Sequence, residues 1–137
     1  MTPVEHDGNR YLLRKQSTES SLVYDPETGD ERYLPTDELT EVGDSPLSVA
    51  AESVPEAARR VLVAVHSDET LGLLVELDER GPLPARELLG RYGLCESDLH
   101  GRTAELRAAG LVATADIDGE RGYAITDAGR DGLDVLR

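Results

Sequence analysis

The chain has 137 residues, enough for one ordinary domain or one domain with a small appendage, and too few for a large multi-domain enzyme. It carries 28 acidic against 14 basic residues, a formal charge of −14, and its one lysine is Lys15. A single cysteine, Cys95, excludes an internal disulfide, the histidines His6, His66 and His100 are not at metal-ligand spacing, and no run approaches the roughly 20 apolar residues of a membrane helix.

The first residues lack a basic run followed by an apolar one, so an unexported, cytoplasmic protein is expected. From Arg10 to Leu34 the pattern is strand-like, with "RYLLRKQ", "SSLVYD" and "ERYLP" separated by turn residues, the last two by Pro26-Glu27-Thr28-Gly29. A three-stranded antiparallel meander within residues 1–43 is predicted, with Tyr11, Leu13, Leu22, Tyr24, Tyr33 and Leu34 covering one face. Residues 44–52 combine Gly, Pro and Ser without a sustained period and read as a linker.

Helical spacing begins at Ser53, where Ser53-Val54-Pro55-Glu56 has the form of a capping box and Ala57, Ala58, Val61, Leu62 and Val65 make an apolar stripe. A second helix starts near Asp68, turns Leu71, Leu74, Val75 and Leu77 inward, and stops at Gly81-Pro82. "PARELLGRY" is a third, brief helix closed by Gly93, and a fourth runs over residues 96–109 with Leu99, Thr103 and Leu106 inward and Gly110 as its stop. Two short helices around a glycine-containing turn make a helix-turn-helix. "LVATADI", the Asp118-Gly119 turn and "RGYAIT" follow as a hairpin over residues 111–126, of the kind that forms a wing, before Thr126 caps a last helix. The expected fold class is therefore α+β: a winged helix-turn-helix domain over residues 53–137 behind a small β-meander.

In "GPLPARELLGRYGL", "LRAAGLV" and "RGYAITDAG" the stretch from Leu71 to Leu136 resembles winged-helix transcriptional regulators of the MarR and ArsR type. The whole chain also resembles a short, uncharacterised haloarchaeal family with a β-meander before such a domain. Pro84 and Cys95 depart from the Ser or Thr usual at those helix caps. The resemblance implies a DNA-binding regulator acting as a homodimer, with Ser97, Asp98, His100 and Arg102 toward base edges, Arg86, Arg91 and Arg107 on phosphates, and Arg121 in the wing. The dimer contacts would come from the Ser53 helix and the last helix.

Each assignment has a plainer reading. Asp98 and Arg102 are i, i+4 and pair equally well with each other, His100 suits an exposed helix position, and Arg121 suits a solvated strand. A helical wheel turns Ser97, Gly101, Ala104 and Ala108 outward, a small face on which Gly101 costs about 1 kcal/mol relative to alanine; either DNA or another helix approaches closely there, or the cost is tolerated in a Gly- and Ala-rich composition. That face suggests the alternative function, a winged-helix module that binds a protein partner and not DNA. The acids are spread evenly with no block of five or six like charges, which favours a surface built for multimolar salt over a nucleic-acid mimic or acidic interaction tail; at about 1 M salt the screening length is about 3 Å, so net acidity does not veto a DNA partner. No enzyme, cofactor, metal or catalytic residue is expected, since no phosphate-cradling loop with a lysine and no nucleophile elbow occurs. Cys95, at a helix start, reads as a redox-sensing thiol or as a residue buried in the turn.

Overall fold

A computed structural model describes residues 1–137, and the chain is α+β and divides into two compact units, Met1–Pro55 and Glu56–Arg137. In the first unit, strands β1 (Thr2–His6), β2 (Asn9–Gln16), β3 (Ser20–Tyr24), β4 (Glu31–Pro35) and β5 (Thr40–Glu41) form an antiparallel sheet in the order β4-β3-β2-β1-β5. The sheet thus has five strands where the sequence pattern predicts three. β1 is too polar to announce itself and β5 is only two residues long, yet both pair along one edge, Val4 opposite Tyr11 and Glu41.

Register also changes which side chains are inside. Val4, Tyr11 and Val23 form the buried cluster, with Leu13, Leu34 and Leu39 packed against it. A bulge between Leu13 and Lys15 shifts β2 against β3, so Leu13 faces Val23 while Lys15 faces Leu22. Leu22 and Tyr24 therefore lie on the opposite face from the cluster, and Tyr33, expected inside, is 67% exposed. The expected linker is not structureless: Ser45 caps a short helix, α1 (Pro46–Ala50), by accepting from the Leu47 N–H, and Val49 on it is fully buried. α1 packs on β1 and β2, and Arg10 of β2 pairs with Asp44 and Glu52 at its two ends.

The second unit runs α2 (Glu56–Ala64), α3 (Asp68–Arg80), β6 (Leu83–Pro84), α4 (Ala85–Tyr92), α5 (Glu96–Ala108), β7 (Val112–Ile117), β8 (Glu120–Ile125) and α6 (Asp127–Leu136). The strands form a second sheet in the order β6-β8-β7, so the step before α4 pairs with the far arm of the hairpin, Leu83 opposite Tyr123. Asp118 and Gly119 both take positive φ, the condition for a two-residue hairpin turn. Leu74, Leu77, Leu88, Leu106, Leu111 and Leu133 are the fully buried leucines of one continuous core, joined by Val61, Leu99, Val112 and Tyr123. Two expected core residues face out instead: α3 turns Thr70, Leu73, Leu74 and Leu77 inward and leaves Leu71 37% exposed, and α2 leaves Leu62 55% exposed.

Backbone chemistry fixes the joints. Ser67 caps α3 by accepting from the Thr70 N–H at 3.2 Å. Gly110 takes φ 75° after α5 and lets the Leu111 N–H reach the Leu106 carbonyl at 2.9 Å. Thr126 has two roles: its hydroxyl donates to the Gly110 carbonyl at 2.6 Å and accepts from the Gly129 N–H at 3.2 Å. α6 approaches its neighbours through glycine, since a Cβ on Gly129 would meet Ile125 and one on Gly132 would lie 2.6 Å from the Ala57 carbonyl oxygen.

That last contact is backbone against side chain and has no soft partner to move. Gly132→Ala should therefore destabilise the chain by about 1–3 kcal/mol despite the better helix propensity of alanine. Thermal unfolding monitored by circular dichroism checks this; an unchanged or raised midpoint would show that α6 is free to slide off α2.

Candidate interaction surface of the second unit

The inner stripe of α5, Leu99, Thr103 and Leu106, is buried as the sequence predicts, and Thr103 satisfies its hydroxyl on the Leu99 carbonyl at 2.8 Å. Fixing that stripe decides what the helix presents on its other side. Ser97, Gly101 and Ala108 are exposed and Ala104 is half-buried. A Cβ on Gly101 would meet nothing within 4 Å, so no part of this chain requires glycine there. Around this small face stand Glu96, Asp98 and Glu105, all exposed and without an ion-pair partner, together with exposed His100.

Neither arginine of α5 offers a free guanidinium to that face, although Arg102 borders it in a shallow cleft with Ser97, Asp98, Gly101 and Glu105. Arg102, a base-reading candidate, bonds neither outward nor to Asp98: its Nη1 donates to Ser67 Oγ at 3.0 Å and Thr70 Oγ1 at 2.9 Å, tying α5 to the capped start of α3. Its Nε is buried without a hydrogen-bond partner. Helix spacing points to the local Asp98, but the hydroxyl pair lies 35 and 32 residues back and offers two acceptors in a half-buried place, which only tertiary structure reveals. Arg107, a phosphate candidate, lies over the Tyr123 ring at 5.9 Å from its centroid, with Nε toward the Thr103 carbonyl.

The remaining cations are spread over α4 and the hairpin. Arg86 is bidentate with Glu120 across the α4–β8 junction, 3.0 and 3.1 Å, and Arg91 pairs with Glu87 one turn back at 2.5 Å. Arg121 stands exposed beside Glu120, opposite Asp116 in the ladder. Neither Pro84 nor Cys95 supplies a side-chain cap, leaving the first N–H groups of α4 and α5 without one, and Cys95 is exposed with its sulfur 3.2 Å from Ser97 Oγ, not buried in the turn.

On α2, α3 and α6 the residues that periodicity places inside leave an apolar groove of about 530 Å³, lined by Leu62, Val65, Leu71, Val75, Leu133 and Leu136. Sequence reasoning misses this groove because it assigns Leu62 and Leu71 to the core. No helix of the chain is long and apolar enough to cross a membrane.

The chain belongs to a protein family of unknown function, DUF7346, which it matches over residues 1–137. Neither a curated protein nor a solved structure matches it.

The Arg86–Glu120 pair gives a pH signature. Two hydrogen bonds and the charge of the Arg86 guanidinium hold the Glu120 carboxyl below the ordinary range. A depressed folded-state pKa contributes stability above the ordinary carboxylate value of about 4.3, lost as pH falls through the folded value. Both groups are well exposed, so the effect on global stability is small. Carboxyl-carbon NMR should show Glu120 titrating below the other surface glutamates and returning to their range in Arg86→Ala; coincident titration in the parent chain would break the pairing.

Proposed function

We propose that residues 56–137 of this DUF7346 protein are a winged helix-turn-helix module that binds a protein partner through the open face of α5 and does not read DNA sequence. The order β6-β8-β7 beside α4, the Gly93 turn and α5 supports the winged-helix reading. The observation that carries the functional half is the charge of α5: Glu96, Asp98 and Glu105 ring the face that would enter a major groove, while Arg102 and Arg107 are engaged elsewhere. Bidentate arginine or lysine contacts to guanine are the commonest specific readout, and this face offers none. A face of Ser97, Gly101, Ala104 and Ala108 lets another backbone approach closely, and its acidic rim favours a partner surface carrying lysine or arginine.

DNA binding is the second reading, favoured by Arg86, Arg91 and Arg121, which are exposed on α4 and the hairpin; phosphates can replace the carboxylate partners of Arg86 and Arg91. Such contacts position without specifying. We further propose that a second copy packs on the apolar groove of α2, α3 and α6, where Leu62, Leu71 and Leu136 are exposed at 55, 37 and 43%. The uncovered leucines support this reading, and the dimer contacts expected from the sequence fall on two of the same helices.

Selection from a random duplex library in moderate salt should enrich no sequence with the parent protein, whereas Ala104→Arg combined with Glu105→Lys should raise duplex affinity at least tenfold by restoring cations to α5. Enrichment of a defined site by the parent protein would sink the protein-docking reading in favour of DNA readout. Separately, Leu71→Glu should shift the chain toward monomer in light scattering behind gel filtration; an unchanged mass would remove the groove as a dimer surface.

A further inference from the structure

Arg10, Arg14, Lys15 and Arg32 are the basic residues of Met1–Pro55, against twelve acidic ones, and they are not spread evenly over the sheet. Directly paired residues share a face, so Lys15, Leu22 and Tyr33 form one cross-strand row and Leu12, Tyr24 and Glu31 the next. This is the face opposite the buried cluster of Val4, Tyr11 and Val23. Leu12, at one end of its row, is buried, and toward β4 the face opens: Tyr24 is half-buried and Tyr33 is 67% exposed.

Two cations flank the tyrosines. The bulge places the Arg14 guanidinium 4.7 Å from the Tyr24 ring centroid, where Glu31 holds it at 3.4 Å. Lys15 is exposed and has no ion-pair partner although acids outnumber bases twofold in the chain. An exposed ring, a stacked guanidinium and an unpaired ammonium within two adjacent rows are the components of a platform for unpaired bases: flat surfaces for stacking and cations for the backbone. A duplex keeps its bases stacked inside and gains nothing from Tyr33. A protein partner would use the ring but has no need of the guanidinium held over Tyr24.

We propose that the β2-β3-β4 face of the first unit binds single-stranded nucleic acid, with one base on Tyr33, another on the Arg14–Tyr24 stack, and phosphates at Lys15 and Arg14. The inference is independent of the reading of residues 56–137. Its chemistry is sequence-tolerant, since every base offers a π-face, and the Glu31 contact to Arg14 yields to phosphate on binding.

The test is fluorescence anisotropy of labelled oligothymidine and oligouridine of about 12 nucleotides with the full chain, titrated from about 0.2 to about 2 M KCl. Single strands should bind more tightly than a duplex of equal length, with affinity falling as salt rises. Tyr33→Ala should weaken binding about tenfold, Tyr33→Phe should retain it, and Lys15→Glu should weaken it and flatten the salt dependence by about one phosphate contact. Circular dichroism of the three variants should match the parent, since these positions are on the surface. No binding by the parent, equal affinity in Tyr33→Ala, or Tyr33-dependent capture of a protein without oligonucleotide binding would each overturn the proposal.

Discussion

The burial of one stripe of α5 governs the second unit. Leu99, Thr103 and Leu106 close the core formed by Leu74, Leu77, Leu88 and Leu111, and truncating any such leucine to alanine costs about 2–5 kcal/mol. A helix held on that stripe has no freedom to rotate, so the identity of its outer residues follows from the core rather than from any separate device. Thr103 shows how strictly the stripe is kept: a hydroxyl is admitted to full burial because the helix carbonyl of Leu99 accepts its hydrogen bond.

Local chemistry was readable before any coordinate. Thr126 as a cap, Gly93 and Gly110 as stops, and Asp118-Gly119 as a hairpin turn each act within a few residues and lie where those signals put them, whereas the Ser53 capping box does not form: Ser53 ends a short 3-10 turn and α2 begins at Glu56. What escaped the sequence depends on partners far along the chain. β1 is a strand because the β2 edge holds it and β5 because β1 holds it, α1 is a helix because Ser45 caps it and Val49 finds a buried place, and Val23 takes the place expected of Tyr24 because Leu13 pairs with Val23 and Leu12 with Tyr24, while the bulge beyond Leu13 turns Lys15 to the face of Leu22. The exposed leucines of α2 and α3 obey helical periodicity as well as the buried ones do, so spacing alone does not sort them.

The same division runs through the interaction surfaces. Listing arginines by helix position put Arg102 and Arg107 among the nucleic-acid contacts, whereas each has a partner that only the fold brings near, the Ser67–Thr70 hydroxyls and the Tyr123 ring. In an acidic chain most cations are consumed in this way, and the informative ones are the few left over. Lys15 is one, and its place in the same cross-strand row as Tyr33, with Leu22 between them, gives the first unit a chemistry that differs from the small, acid-rimmed face of α5. The two units thus offer unlike surfaces, one suited to flat rings and phosphate, the other to a closely packed backbone.

Thr126 ends one segment and begins another with a single side chain, and this has a kinetic consequence. Because its hydroxyl bridges the Gly110 carbonyl to the Gly129 N–H, and its own N–H reaches the Leu111 carbonyl at 3.0 Å, the stop of α5, the root of the hairpin and the first turn of α6 share one hydrogen-bonded knot. Fraying of the last helix cannot proceed past its first turn without loosening the hairpin as well. The C-terminal third of the chain is therefore built to open and close as a single cooperative block, and not as a sequence of independent segments.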